Sequence, residues 1–186
     1  MNNIKVFEND LPDDLDLSNE KFIGLDNEAL GLVLGRDPLT LVQLGLESKN
    51  FYLIKLNRGS YKAPNLVKVL SNNNTQFIMH YARQDLMWLK YHLKVKPKNI
   101  FCTKVASKIA RTASSFHGYK DLVKELCGKD ISKKEQQSDW GDPNLSEKQI
   151  KYAASDTEYL FEIRKKLIQM LQREKRIELF EKSMEV

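Results

Sequence analysis

"FIGLDNEALGL" spans Phe22 to Leu32, and its reading decides the fold, because an apolar strand closes there on two carboxylates, Asp26 and Glu28, one residue apart. Residues i and i+2 of a strand project to the same face, so the two acids stand side by side and resist ionising together. A positive group between them relieves the conflict. A hard divalent cation such as Mg²⁺ is the simplest, since it takes oxygen ligands and can hold two carboxylates at once. Two solvated acids at a strand end give the same short string, so further ligands must come from elsewhere in the chain.

Working outward, three apolar runs follow one another closely: "KFIGLD" (21–26), "LTLVQLGL" (39–46) and "FYLIKL" (51–56). Turn-rich "GRDP" and "ESKN" separate them, which predicts an antiparallel meander. The period then changes. "APNLVKVLSN" (63–72) carries Pro64 near a helix start and apolar residues at helical spacing, "QFIMH" (76–80) returns to a strand, and Leu86, Leu89 and Leu93 form a helical stripe in "ARQDLMWLKYHL". "NIFCT" (99–103) reads as a short strand, followed by helices near 104–112 and 119–128. Strands, then alternating helix and strand, then helices is the order of an α/β fold, a mixed sheet flanked by helices. Polar, aperiodic "GKDISKKEQQSDWGDPNLS" (128–146) reads as a functional loop within one domain over 1–186. Ser146 and Gln149 make a capping box for a last long helix whose apolar stripe is Ile150, Ala153, Leu160, Ile163 and Leu167.

The chain has 186 residues, 41% apolar and 30% charged, a globular balance large enough for one real core. No run reaches the length of a membrane span, and the N-terminal stretch lacks the basic and apolar regions of a signal peptide, so a cytoplasmic placement without a membrane partner is expected. Cys102 and Cys127 lack zinc-site spacing and are too few for a disulfide framework, which predicts reduced, buried thiols. Residues 1–30 hold eight acids against Lys5 and Lys21, giving −6; with +5 for the whole chain, residues 31–186 carry +11. A basic body of that kind suits a polyanion, nucleic acid above all.

Two more carboxylates occupy telling places. Asp85 falls in the first turn of the helix after the "QFIMH" strand, and Asp156 lies four residues after Tyr152 in "YAASDTEYL", so hydroxyl and carboxylate share one helical face. Each has an ordinary structural explanation: an acid favoured by the helix dipole, and two boundary residues bonded to each other. Their joint order is more informative. Asp-x-Glu closing the first strand, Asp after a later strand and Tyr-x-x-x-Asp on a late helix resemble the DEDDy 3′→5′ exonucleases over nearly the whole chain. Within them, "KAPNLVKVL", "FCTKVASKIARTASSFHGYKDLVKELCG" and "ISKKEQQSDWGDPNLSEKQIKYAASDTEYL" look like ribonuclease D, and most of all like the short nanoRNase C proteins.

The resemblance implies a ribonuclease H-like (DnaQ-like) fold and hydrolysis from a 3′ end. It implies metal ligands Asp26, Glu28, Asp85 and Asp156, Tyr152 as the fifth catalytic residue, and two divalent ions, Mg²⁺ or Mn²⁺. Leu32 matches the place of a wedge against terminal bases, with a core leucine as the other reading. His80 is placed to bond a substrate phosphate or sugar or to be a satisfied core histidine. Ser138 and Trp140 lie in the family's polar loop, where the indole either stacks on a base or anchors the loop. Met87 and Trp88 are expected in the core. Asn27 stands where relatives more often carry Thr and is expected to point away from the metal face. The expected substrate is short single-stranded RNA down to dinucleotides; tRNA 3′-end trimming, DNA hydrolysis and a silent nucleic-acid-binding module are the alternatives. A homo-oligomer, as an octameric ring, is the assembly the resemblance implies. With no helical module after "LFEKSMEV", long structured RNA is expected to gain few extra contacts.

Overall fold

The computed structural model describes residues 3–132 and 134–185. It opens with a strand that the acidic N-terminal stretch conceals, β1 (Asn3–Glu8), followed by β2 (Phe22–Ala29), β3 (Leu39–Gly45) and β4 (Asn50–Lys55). Then come α1 (Pro64–Leu70), β5 (Gln76–Met79), α2 (Ala82–His92) and β6 (Ile100–Cys102). The chain continues with α3 (Thr103–Ala110), α4 (Tyr119–Cys127), α5 (Glu147–Glu158), α6 (Leu160–Arg173) and α7 (Ile177–Met184). The six strands form one sheet in the order β1-β4-β3-β2-β5-β6. The expected meander is present as antiparallel β2–β3 and β3–β4 pairs, and the flanking pairs β1–β4, β2–β5 and β5–β6 are parallel, which makes the sheet mixed.

Apolar clusters cover both faces, as a sheet with parallel edges requires. On one face Leu25, Val42, Leu44 and Ile54 meet Leu66 and Leu70 of α1 and Trp88 and Leu89 of α2. On the other, Ile78 and Phe101 meet Ala106 of α3, Leu122 of α4, Ile163 and Leu167 of α6 and Phe180 of α7. No helix among the described residues is long and apolar enough to cross a membrane.

Four sequence expectations need correction. The acids do not close β2: the strand runs past both to Ala29, with a register shift between Glu28 and Ala29. The single last helix is two. Tyr159 interrupts it, its backbone N–H donating to the Tyr119 hydroxyl at 3.3 Å, while the apolar stripe continues buried through Leu160, Ile163 and Leu167. Met87 is 44% exposed on the outer side of α2, whereas Trp88, one residue on, is buried, because adjacent helical residues lie about 100° apart. Both cysteines are free, but Cys127 is half-buried rather than buried.

The feature that positions the site is a close approach of α5 to the sheet. Gly24 and Gly45 are cross-strand partners on the face beneath α5, and Thr157 fills the space that their missing side chains leave. A Cβ at Gly45 would lie 2.8 Å from Thr157 Cβ and closer still to its hydroxyl. Ala153 and Ala154 keep the rest of that helical surface small and fully packed. Glycine is used here for close approach rather than for a turn.

Gly45→Ala should therefore overpack this contact and cost about 1–3 kcal/mol, seen as a loss of about 2–4 °C in Tm per kcal/mol. Gly59→Ala is the control, since the nearest atom to its Cβ would be Asn57 Oδ1 at 3.4 Å; its Tm should stay at the wild-type value. Equal effects of the two substitutions would contradict the close-approach account.

Candidate active site

Because Gly24 faces α5, the period-two alternation of β2 carries Asp26 and Glu28 to that same face. The β2–β5 ladder extends only from Phe22↔Gln76 to Gly24↔Ile78, so both acids lie beyond the paired region, in a crevice at the carboxyl ends of the parallel strands. The other groups enter from the helices that follow. Asp156 descends from α5, and its carboxylate, with those of Asp26 and Glu28, brings three ligand oxygens within 4.8 Å of one another. Asp85 stands in the first turn of α2 and is buried. It lies outside that closest trio, yet Asp26 and Glu28 both act on it electrostatically.

The four acids and Tyr152 line one cavity of about 330 Å³, with His80, Tyr81, Gln84, Lys104, Tyr119 and Lys120 among the other walls. A second cleft of about 750 Å³ continues from it, past Glu28, Asp85 and Leu32 to Trp140.

Burial dominates the electrostatics. It pushes the carboxyls of Asp26, Glu28, Asp85 and Asp156 up from their ordinary range; for the last three, the neighbouring acids push further in the same direction. No ion pair among the described residues includes any of the four. A cluster of converging hard oxygen donors without a cationic side chain among them fits a divalent cation. Asp26, Glu28 and Asp156 would hold it, with Asp85 beside them. The Tyr152 hydroxyl bonds the Asp156 carboxylate, and burial followed by the charges of Asp156, Glu28 and Asp26 drives its own pKa far above the ordinary phenol value.

The remaining sequence candidates separate clearly. Leu32 is 81% exposed, which excludes the core reading and leaves it projecting beside the second cleft. His80 is half-buried at the cavity wall. Its Nδ1 lies 2.9 Å from Thr103 Oγ1, which itself donates to the Met79 carbonyl at 3.2 Å, so Nδ1–H of His80 is the donor. Ser138 is a loop organiser: its hydroxyl donates to Glu135 O at 2.6 Å and accepts from Gln149 Nε2 at 3.3 Å. Trp140 is buried with Leu41, Leu53 and Ala153, its ring centroid 6.0 Å from that of Tyr152. Buried there, the indole anchors the loop and backs the Tyr152 ring; it presents no free face for a base.

Asn27 does more than the strand alternation suggests. Its side-chain N–H donates to the backbone carbonyl of Asp85 at 3.2 Å, tying β2 to the first turn of α2. Lys104 and Lys120, which no motif in the sequence marks, also line the cavity. Each sits in the first turn of a helix, α3 and α4, where the dipole disfavours a cation; that misplaced charge was the available signal.

The family described as 3′–5′ exonuclease matches residues 8–172. Ribonuclease D of Xanthomonas oryzae is 32% identical over 168 residues, which cover 90% of this chain and 46% of that protein. The chain thus spans less than half the length of that relative. Among solved structures, Brucella melitensis NrnC superposes with a TM-score of 0.93 at 39% identity, covering 98% of this chain and 88% of that one. The same protein bound to pGG superposes at 0.92, and its form with bound Mg²⁺ also at 0.92.

The burial of unpaired acids gives a signed pH prediction. Folded-state values lie above unfolded ones, about 7 for Asp26 and about 9 for Glu28. The native state therefore keeps protons that the unfolded chain releases, and this stabilisation is lost as pH rises through those values. A bound divalent cation offsets that loss. The rise in Tm on adding Mg²⁺ should be several degrees larger at about pH 8 than at about pH 5. Asp26→Asn should raise the metal-free Tm at about pH 8 and abolish most of the Mg²⁺ increment. An increment that is the same at both pH values would contradict the assignment.

Proposed function

We propose, because this chain belongs to the 3′–5′ exonuclease family, that it removes nucleotides hydrolytically from the 3′ end of RNA and acts best on very short single strands, down to dinucleotides. The observation that carries the proposal is the convergence of Asp26, Glu28 and Asp156 oxygens within 4.8 Å, with Asp85 and Tyr152 on the same cavity. All five catalytic positions are filled, which argues against a silent binding module. Lys104 and Lys120 on the cavity wall supply positive charge for a polyanionic substrate. The preference for short RNA is supported by the likeness to a protein solved with pGG. The likeness to ribonuclease D keeps tRNA trimming as the second reading.

In the proposed hydrolysis a water oxygen forms a bond to the last phosphorus while the bond from phosphorus to the preceding 3′ oxygen breaks. The products are a nucleoside 5′-monophosphate and an RNA one unit shorter with a new 3′-hydroxyl. Two divalent ions, when held by Asp26, Glu28, Asp85 and Asp156, supply charge neutralisation at the phosphate and a water acidic enough to attack at neutral pH. The protein's part is placement. β2 and α5 set three carboxylates at fixed separation, and the Asn27 bond to the Asp85 carbonyl holds α2 in register with them. Tyr152 acts as a hydrogen-bonding guide for the attacking water. An ordinary phenol pKa near 10 already keeps the hydroxyl protonated at neutral pH, so it does not serve as the base. Trp140 behind the ring limits its freedom to swing. Leu32 is exposed beside the cleft and would meet the terminal bases, while His80 and the two lysines, which line the cavity, would meet phosphate or sugar oxygens.

Two measurements check these roles. Asp156→Ala should lower turnover by about 10³-fold or more with the fold intact, and Tyr152→Phe should lower kcat far more than it changes KM; a change confined to KM would make Tyr152 a binding residue. Single-turnover rates on 5′-labelled RNAs of two to about thirty nucleotides decide the substrate. The proposal expects catalytic efficiency on the dinucleotide to equal or exceed that on the longer strands and on tRNA. Faster trimming of tRNA would replace it with the ribonuclease D reading, catalytic residues unchanged.

A further inference from the structure

Gln43 is a polar residue in a place that calls for an apolar one. It lies in the middle of β3, is fully buried, and neither its amide nitrogen nor its amide oxygen has a hydrogen-bond partner among the described residues. An unsatisfied buried amide is destabilising, and a methionine of similar length would fill the same space with no polar atom to satisfy. Such an exception calls for a missing partner.

The strand register sets one acceptor opposite it, Asp26, which neither amide atom bonds in this structure. Gln43 is directly opposite Asp26 in the antiparallel β2–β3 ladder. Directly opposed residues share a face, with Cβ atoms about 4.5–5.5 Å apart. The face is the one toward α5, because the neighbouring pair two residues away, Gly24 and Gly45, both meet Thr157. On its other side Gln43 opposes Leu53 of β4, which belongs to the apolar cluster of Leu41, Trp140 and Ala153. Asp26 is therefore the ionisable group that the ladder sets beside an otherwise orphaned donor.

We propose that Gln43 is a positioning residue for Asp26: its Nε2–H donates to the carboxylate oxygen turned away from the cation and so fixes the orientation in which Asp26 serves as a ligand. The inference rests on reading the carboxylate cluster as a cation site. A hydrogen bond to an ionised acceptor is stronger than a neutral one, and partners that orient metal ligands typically account for about 10- to 100-fold in metal affinity. Gln43 touches neither substrate nor reacting atoms in this account. It acts through Asp26.

The test uses Mn²⁺ alone, with free Mn²⁺ counted by electron paramagnetic resonance, on wild type, Gln43→Met, Gln43→Leu and Asp26→Asn. Either apolar substitution should raise the Mn²⁺ dissociation constant by about 10- to 100-fold without lowering the metal-free Tm, since the orphaned amide is gone. At saturating Mn²⁺ the kcat on a dinucleotide should return to within about threefold of wild type, with KM for RNA unchanged, as expected of a residue that acts on the ligand and not on the transition state. Wild-type Mn²⁺ affinity in Gln43→Met or Gln43→Leu would overturn the proposal. So would a loss of affinity that tracks a fall in metal-free Tm, which would make Gln43 a packing residue. If both substitutions unfold the chain, a structure of the wild-type protein with Mn²⁺ decides, by whether Gln43 Nε2 lies within about 3.2 Å of an Asp26 oxygen. Asp26→Asn separates the two levels of the argument. If it also binds Mn²⁺ normally, the cation site itself is misassigned; if it alone loses binding, only the role of Gln43 fails.

Discussion

Four carboxylates around one cavity, Asp85 buried and the other three half-buried, with no cationic side chain among the described residues paired to any of them, are the constraint on which the rest of this structure turns. Such a cluster opposes folding in the ionised state, because each acid loses water and gains like-charged neighbours. Its persistence demands rigid supports, and the supports are visible. β2 contributes two acids from one strand face, and its cross-strand glycine pair lets α5 lie close enough for Asp156 to reach them. Asn27 fastens the start of α2, and with it Asp85, to the same strand. The cost that burial imposes on the metal-free protein is the counterpart of the affinity it confers on a divalent cation.

The polar loop between α4 and α5 extends that logic to Tyr152. Gln149 closes the capping box with Ser146 and also holds the loop through Ser138 and the Asp139 carbonyl. Lys55 at the end of β4 reaches the Pro143 carbonyl, and Arg58 just after it the Gly141 carbonyl. Trp140, pinned between these attachments, stands against Tyr152. The segment from Ser138 to Pro143 is held at these points, and the ring it backs is that of Tyr152, the proposed guide for the attacking water.

The legible parts of the sequence were those in which one residue type has one dominant physical use. The apolar run in "FIGLDNEALGL" marks the strand and sets Asp26 and Glu28 on one face, the Ser146–Gln149 pair marks a helix start, and Asp85 and Asp156 stand out from their helical positions only through the family resemblance. What stayed hidden depends on tertiary partners. Among the described residues β1 pairs with β4 alone, at the sheet edge, and is largely exposed, so its sequence carries little apolar alternation. The break at Tyr159 requires the Tyr119 hydroxyl, forty residues away. Met87 and Trp88 look equally apolar, and only the docking of α2 tells them apart. Gln43 reads as one more residue in an apolar run until the register sets it across from Asp26.

The central claim is that these acids converge to hold divalent cations, and diffraction from Mn²⁺-soaked crystals at the manganese edge tests it most directly. The account predicts anomalous peaks inside the cavity, ligated by Asp26, Glu28 and Asp156 and reached by Asp85, with two ions about 3.5–4 Å apart when substrate is present. A cavity without an anomalous peak at millimolar Mn²⁺, or a peak held by other residues, would contradict it.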